Sequence, residues 1–283
     1  MRPLWLMQWR GRYGRVVPLF EINGVRLLVE ESGSGEPLVL VHGAWDDRQG
    51  WAFVEDDLAK SFRVVSYDRR GHGGSEDSLM PGSRRDDEDD LAALIEARGL
   101  APAHLVGHSF GASITLGLVA RRPELARSVC VHDPPLFALA ADDPMVKQVD
   151  ERVGVVLSLI DQGDAEAGAR LFVDEVAIGP GAWDLMPLEE RAAMTARAGA
   201  FVGEQRDPDW ATIDLDGLAT LSCPVLLTRG DESPPFFATI TSRLAETMVH
   251  AQVKTLHGAG HVPTVTHPAE WVAVVREFVR EAQ

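Results

Sequence analysis

The stretch VGHSFGASITLG, Val106–Gly117, places one serine between two glycines where a strand-like pattern gives way to a helix-like one. A sharp strand-to-helix turn exposes the Ser109 hydroxyl above a sheet. It also strains the backbone, so small neighbours are needed at Gly107 and Gly111. The helix that follows supplies N–H groups able to stabilise a developing oxyanion. The stretch therefore predicts that Ser109 is a nucleophile.

Strand-like and helix-like runs alternate on both sides of this turn. Continuous apolar runs of this length are typical of strands buried on both faces. Their alternation with helices predicts a mostly parallel sheet covered on both sides. The predicted strands are Arg26–Glu31 (an edge strand), Pro37–Gly43, Phe62–Asp68, Ala103–His108, Ser128–Asp133, Cys223–Gly230 and Ala251–Gly258. The predicted helices outside the middle of the chain are Ser83–Gly99, Phe110–Pro123 and Pro268–Ala282.

The middle of the chain breaks the alternation. From Pro134 to Gly217 only helix-like stretches occur. We predict a helical cap at residues 134–217, inserted between two strands of a core that comprises residues 1–133 and 218–283. The acidic run Asp86–Asp90 opens a predicted helix, where the helix dipole favours negative charge, so it predicts no functional site.

A serine nucleophile needs a base and donors for the oxyanion. His261 lies in the small-residue loop HGAGHVP, between the last predicted strand and the last helix, where chain order places the base. The backbone N–H groups of Ala44, in VHGAW, and of Phe110 are the predicted oxyanion donors. We interpret His42 and His72 as structural histidines.

Four motifs in this order resemble the α/β-hydrolase superfamily: HGAW, YDRRGHGGS, GHSFGA and GAGHVP. The resemblance runs from about Phe20 to Gln283. It implies an α/β-hydrolase fold with an eight-stranded, mostly parallel sheet and a helical cap after the sixth strand. It also implies a Ser-acid-His triad, and neither a cofactor nor a metal.

The triad acid departs from the commoner pattern of the superfamily. That pattern has an aspartate three residues after the glycine that ends the next-to-last strand, and here Ser233 stands three residues after Gly230. Asp133 ends the preceding predicted strand, in CVHDPP, and this arrangement resembles zearalenone-type lactone hydrolases. We predict Asp133 as the acid, with Asp231 as the alternative.

The pattern of the cap predicts an apolar pocket for a mid-sized ester or lactone. Because Ser109 stands at the elbow, relatives that use an aspartate nucleophile are disfavoured. The predicted substrate contacts are Trp183, Trp45, Leu136, Phe137 and Phe236.

Two alternatives remain open for the function. A carbon–carbon bond hydrolase of aromatic degradation acts on carboxylates and needs a cap arginine that faces Ser109. The candidates are Arg152, Arg170, Arg191, Arg197 and Arg206. The other alternative is a ligand-binding or non-hydrolytic protein of the same fold.

Bulk composition narrows the partners. The net charge of −16 disfavours binding to nucleic acid or to an anionic membrane surface. The two cysteines, Cys130 and Cys223, are predicted to be reduced core thiols. We expect a cytoplasmic monomer or homodimer acting on a small molecule, with residues 1–18 as a loosely held leader.

Overall fold

A computed structural model describes residues 17–76 and 82–282, and its centre is an eight-stranded sheet. The strands are β1 (Leu19–Ile22), β2 (Val25–Gly33), β3 (Pro37–Val41), β4 (Arg63–Tyr67), β5 (Ala103–His108), β6 (Ala126–His132), β7 (Val225–Gly230) and β8 (Gln252–Leu256). Their order is β1-β2-β4-β3-β5-β6-β7-β8. The strands from β3 to β8 run parallel, whereas β2 is antiparallel to both β1 and β4. The mostly parallel α/β-hydrolase sheet predicted from the sequence is thus confirmed.

One detail of the strand prediction is wrong. Arg26–Glu31 was predicted as an edge strand, but it lies in β2, which pairs on both sides. The edge is formed by β1, Leu19–Ile22, which no sequence signal identified. Because β1 has four residues and only Ile22 is buried, it lacks the apolar run that marks the inner strands.

Helices cover both faces of the sheet and fill the interval between β6 and β7. They are α1 (Glu55–Leu58), α2 (Arg84–Ala97), α3 (Phe110–Arg121), α4 (Pro144–Asp161), α5 (Ala165–Phe172), α6 (Ala182–Leu185), α7 (Leu188–Ala196), α8 (Ala198–Arg206), α9 (Leu215–Ala219), α10 (Phe236–Thr247), α11 (Pro263–Thr266) and α12 (Pro268–Glu281). Short 3₁₀ turns occupy Arg48–Trp51, Pro123–Leu125 and Phe137–Ala140, and a π-helical segment occupies Val173–Ala177. In the described residues no helix is long and apolar enough to cross a membrane.

Two apolar layers hold the helices on the sheet. Leu105 and Val131 face the layer that contains α2, α3 and α10. Leu40 and Val106 face the opposite layer, where α12 packs through Trp271. Because alternate residues of a strand point to opposite faces, the continuous apolar runs serve both layers.

The acidic start of α2 has a second cause that the sequence analysis missed. Ser83 and Asp86 form a capping box, in agreement with the predicted helix start. However, Asp87, Glu88 and Asp90 are buried and pair with arginines, so the helix dipole alone does not explain them. Their partners include Arg69 for Asp87, Arg84 and Arg121 for Glu88, and Arg70 for Asp90.

The helices α4 to α8 pack around a small apolar cluster of their own. Trp183, Phe201 and Val156 are at its centre, and Trp45 reaches it from the loop after β3. At the far end α9 packs on α3, where a side chain at Gly217 would meet the Ala120 carbonyl oxygen at 2.7 Å. Because α9 contains the predicted cap end, Gly217, and packs on α3 of the core, the cap limits 134 and 217 stay a prediction.

Two minor predictions concern the chain ends and the thiols. Cys130 is buried and Cys223 is half-buried, and both are free thiols. The leader predicted at residues 1–18 falls outside the described residues except for Val17 and Pro18.

Candidate active site

The turn between β5 and α3 is as crowded as the sequence predicts. Ser109 has φ +53° and ψ −124°, a strained conformation for a residue with a side chain. A Cβ at Gly111 would lie 2.2 Å from the Val41 carbonyl oxygen, and a Cβ at Gly107 would lie 2.6 Å from the Gly111 oxygen. Glycine is needed on both sides of the serine because the backbone of neighbouring elements fills that space.

Ser109, His261 and Asp133 lie in one line at the carboxyl edge of the sheet. Nε2 of His261 is 3.0 Å from Oγ of Ser109. Nδ1 of the same ring is 3.3 Å from Oδ2 of Asp133. The three predicted residues therefore meet with the spacing that proton transfer from a serine requires.

The Asp133 carboxylate is fully buried, and its contacts converge on one oxygen. Oδ2 accepts a hydrogen bond of 2.6 Å from Ser233 Oγ, and His132 Nε2 lies 3.2 Å from it. Oδ1 is buried without a hydrogen-bond partner in the described part of the chain. Burial alone raises the pKa of Asp133, but His132 and His261 outweigh it and hold this pKa well below its usual range. The Asp133 carboxylate is therefore charged at neutral pH.

Asp231, the alternative acid, has other partners. Its carboxylate accepts hydrogen bonds from His257 Nδ1 at 2.9 Å and from the Gly258 N–H at 2.7 Å. The Asp231 side chain is 42% exposed and that of His257 is 85% exposed. These two residues form a surface pair beside the loop of His261 and do not contact its ring.

The loop that carries His261 is held by two aromatic residues. His108 Nε2 lies 2.6 Å from the His261 carbonyl oxygen. Burial and the two neighbouring histidines lower the pKa of His108 to about 3, so this ring is neutral and donates its Nε2–H to that carbonyl. Phe237 stacks on the His261 ring at a centroid distance of 5.0 Å. His108 thus holds the backbone of the loop, and Phe237 packs against the ring that the loop carries.

Ala44 and Phe110 lie beside Ser109 and line the same cavity. Phe110 is the first residue of α3, so its N–H has no partner within the helix. The Ala44 N–H likewise has no acceptor among the described residues. A Cβ at Gly43 would lie 3.0 Å from the Ser109 Cβ, which shows how closely this loop approaches the elbow.

The cavity above Ser109 is apolar and largely aromatic. Within the described residues its only polar side chains are those of Ser109, His261 and Gln205. An outer groove shares Val176, Ala177, Pro234 and His261 with the cavity and so connects His261 to solvent. The aromatic lining consists of Phe110, Phe137, Phe172, Phe201, Trp210, Phe236 and Phe237.

The predicted substrate contacts divide into two groups. Phe137 and Phe236 line the cavity. Trp45, Trp183 and Leu136 do not line it, so their prediction as substrate contacts is corrected. Trp45 stacks on Phe201 at 4.3 Å behind the cavity wall, Trp183 is buried inside the cap in α6, and Leu136 belongs to the main core. Large apolar residues in a cap serve its own packing first, and sequence does not separate the two uses.

None of the five cap arginines is among the residues that line the cavity. Arg197 is buried, where it pairs with Asp47 and donates to the Trp45 carbonyl oxygen. Arg191 donates to the backbone oxygens of Met186 and Asp184. The remaining three pair at the surface: Arg152 with Glu175, Arg170 with Asp184, and Arg206 with Asp161.

Sequence reasoning missed several residues that act on the site. Ser233 was counted only as a missing acid, although its position three residues after Gly230 marks where the commoner acid stands. His132, next to Asp133, received no role in the sequence analysis. Nothing in the sequence identified Gln205, and the buried Arg69 was quoted only within the motif YDRRGHGGS, without a role. In the residues that the structure describes, no three His, Cys, Asp or Glu side chains are grouped to hold a metal ion.

The chain is similar in sequence to known hydrolases. The chain is 28% identical over 275 residues to a 2-hydroxymuconate semialdehyde hydrolase of a Pseudomonas species, covering 92% of each chain. It is 28% identical over 242 residues to the (E)-2-((N-methylformamido)methylene)succinate hydrolase of Acinetobacter baylyi, covering 84% of this chain and 88% of the relative.

A solved structure and a family model show the fold and the family. An alpha/beta hydrolase from Sphaerobacter thermophilus superposes with a TM-score of 0.73 and 28% identity, covering 92% of this chain and all of the other. The model of the alpha/beta hydrolase family matches residues 38–274. This match spans most of the chain, including the elbow, both loops of the site and the whole helical insertion. The protein is a member of the alpha/beta hydrolase family.

Proposed function

We propose that this protein is a serine hydrolase that cleaves a neutral carboxylic ester or lactone through an acyl-enzyme. The observation that carries the proposal is the cavity. Ser109 and His261 open into an apolar space in which Gln205 is the only further polar side chain of the described residues. Such a lining favours a mid-sized apolar substrate with one additional polar group.

The contacts around Ser109 support the following sequence of steps. Ser109 Oγ attacks the substrate carbonyl while His261 Nε2, 3.0 Å away, takes its proton. The N–H groups of Ala44 and Phe110 bind the oxyanion. Asp133 stabilises the imidazolium, which returns the proton to the leaving alkoxide. Water then repeats the cycle on the acyl-enzyme and frees Ser109 and a carboxylic acid.

The charge of the cavity wall favours neutral substrates. A carboxylate buried against phenylalanine rings costs several kcal/mol unless a cation or several donors pair with it. Gln205 supplies one amide. The five cap arginines are engaged elsewhere: Arg191 with backbone oxygens, Arg197 with a backbone oxygen and a carboxylate, and the other three with carboxylates. A negatively charged substrate therefore finds no counterion among the described residues that line this cavity.

A carbon–carbon bond hydrolase is the second candidate. The similarity to the 2-hydroxymuconate semialdehyde hydrolase over 92% of both chains favours it. The names of both relatives describe carboxylate substrates, and such substrates need the cap arginine that this cavity lacks among its described lining residues. We therefore rank it below the ester or lactone hydrolase.

The first experiment compares matched neutral and charged substrates. We expect p-nitrophenyl valerate and a panel of lactones to be hydrolysed with kcat/KM roughly 100-fold or more above mono-p-nitrophenyl glutarate. The Ser109→Ala variant is the control and should be inactive on all of them. Preferred cleavage of a vinylogous 1,5-diketone would replace the proposal by the carbon–carbon hydrolase. Tight binding without turnover would replace it by the ligand-binding alternative.

A further inference from the structure

Arg69 lies directly behind the loop that carries Ala44. It follows β4 in the motif YDRRGHGGS, and its side chain is fully buried. Nη1 pairs with Asp87 at 2.8 Å, and Nη2 pairs with Glu204 at 2.6 Å. Nη2 also donates to the Gly43 carbonyl oxygen at 2.9 Å. The buried Arg69 cation thus contacts the carbonyl of the peptide whose N–H, on Ala44, is a predicted oxyanion donor.

The same carbonyl has a second donor. His42 Nδ1 lies 2.9 Å from the Gly43 oxygen. His42 Nε2 accepts the backbone N–H of Arg69 at 3.0 Å, so the ring proton is on Nδ1 and donates to that oxygen. Both acceptor positions of the Gly43 carbonyl are therefore occupied, one of them by a guanidinium.

The peptide between Gly43 and Ala44 transmits this contact to the cavity. In a planar trans peptide the C=O and the following N–H point in opposite directions. Donors fixed on the Gly43 oxygen therefore direct the Ala44 N–H away from Arg69, towards the cavity that Ala44 lines. A cationic donor on the carbonyl also polarises the amide and makes its N–H a stronger donor.

Arg69 and the cap hold both sides of the predicted oxyanion hole. The guanidinium carbon of Arg69 lies 5.3 Å from the centroid of the Phe110 ring. Glu204, its partner, belongs to α8 in the cap, and Arg197 at the start of α8 donates to the Trp45 carbonyl oxygen. The loop 43–47 is thus fastened to one cap helix at two points.

We propose that Arg69 is a positioning residue of the oxyanion hole, which orients and polarises the Gly43–Ala44 peptide, and that Glu204 couples this function to docking of the cap. The inference rests on the proposed serine hydrolase function. It assigns a role to the motif YDRRGHGGS that the Ser-acid-His constellation leaves without one.

The test is Arg69→Lys, with Arg70→Lys as the matched control. Lysine keeps a cation for Asp87 but loses the planar fork that reaches three acceptors at once. Arg70 adjoins Arg69 and pairs with Asp90, so its substitution perturbs a neighbouring ion pair without touching Gly43. The readouts are kcat per active site titrated with a fluorophosphonate, KM, and the inhibition constant of an arylboronic acid that mimics the tetrahedral intermediate.

For Arg69→Lys we expect kcat to fall about 10- to 100-fold with KM nearly unchanged, and boronate affinity to fall in parallel, because only the oxyanion loses stabilisation. Arg70→Lys should stay within about threefold of the wild type. Equal effects of the two substitutions on kcat, or an unchanged boronate affinity in Arg69→Lys, would overturn the inference.

A second variant tests the inference even if Arg69→Lys does not fold. Glu204→Gln retains Arg69 and Asp87 but removes the charge that holds Nη2 on the cap side. We expect a severalfold loss of kcat and of boronate affinity at constant KM, and no change in either would contradict the coupling. Wild-type enzyme that hydrolyses no ester would instead refute the proposed function, before any variant is compared.

Discussion

Two aspartates at the carboxyl ends of neighbouring strands differ in burial and in their partners. Asp133, after β6, is fully buried, and His261, Ser233 and His132 surround one of its oxygens. Asp231, after β7, is 42% exposed and pairs with His257. The two side chains share chemistry and sheet edge, so the difference lies in what surrounds them.

The backbone contributes to this difference. Asp133 has φ +45°, in the left-handed region that aspartate tolerates better than most residues. Its N–H donates to the Thr228 carbonyl oxygen on β7, which holds the residue against the sheet. A carboxylate held in this way keeps one orientation towards His261, whereas the exposed one at Asp231 bonds His257 and the Gly258 N–H instead. Pre-organisation of this kind is what an orienting acid needs.

The substitution with the largest expected effect tests the comparison of Asp133 with Asp231 directly. Asp133→Asn should lower kcat about 10²- to 10⁴-fold, because the amide neither stabilises the imidazolium nor selects the right tautomer. Asp231→Asn should stay within about threefold of the wild type. Both are measured with the same ester at saturation, on protein whose fold is checked by circular dichroism. A large loss only at Asp231 would reverse the assignment of the acid.

A smaller effect is expected at the residue that joins the two strand ends. Ser233 stands on the β7 side and donates to Asp133 on the β6 side. Ser233→Ala should lower kcat about tenfold, since a hydrogen bond to a charged group contributes roughly 1.5–3 kcal/mol and only part of it bears on catalysis.

Ser128→Ala is the control for that experiment. Ser128 is also buried and bonds His104 Nδ1 at 2.8 Å, far along β6 from the site. It should lower the melting temperature without changing kcat. If the two serine variants lose activity alike, Ser233 only stabilises the fold.

The smallest effect concerns stability at low pH. The folded protein holds the pKa of Asp133 below its ordinary value near 4, so the unfolded chain binds this proton more readily. Its contribution to stability is therefore complete above about pH 4 and is lost as the pH falls further. The melting temperature should decline more steeply from pH 5 to pH 3 in the wild type than in Asp133→Asn. Parallel curves would show that Asp133 is not held ionised by its neighbours.

Much of this site could be predicted because its signals are local. The glycines around Ser109 reflect crowding within a few residues of the turn, and they predict the elbow without any knowledge of the cap. His261 is marked by its small-residue loop between the last strand and the last helices. The substrate contacts were less predictable: Phe137 and Phe236 line the cavity, but Trp183 does not, because an apolar cap residue fits a cap core as well as a pocket.

The sequence by itself determined the seven strands from β2 to β8 in their chain order, the elbow at Ser109 and the two possible acids. These follow from periodicity and from steric limits that act between near neighbours. Only the tertiary structure decided which acid contacts His261, that no cap arginine lines the cavity, and that Arg69 holds the Gly43 carbonyl. Those outcomes depend on the packing of residues that lie far apart in the sequence, such as Arg69 and Glu204, and on the burial that such packing creates.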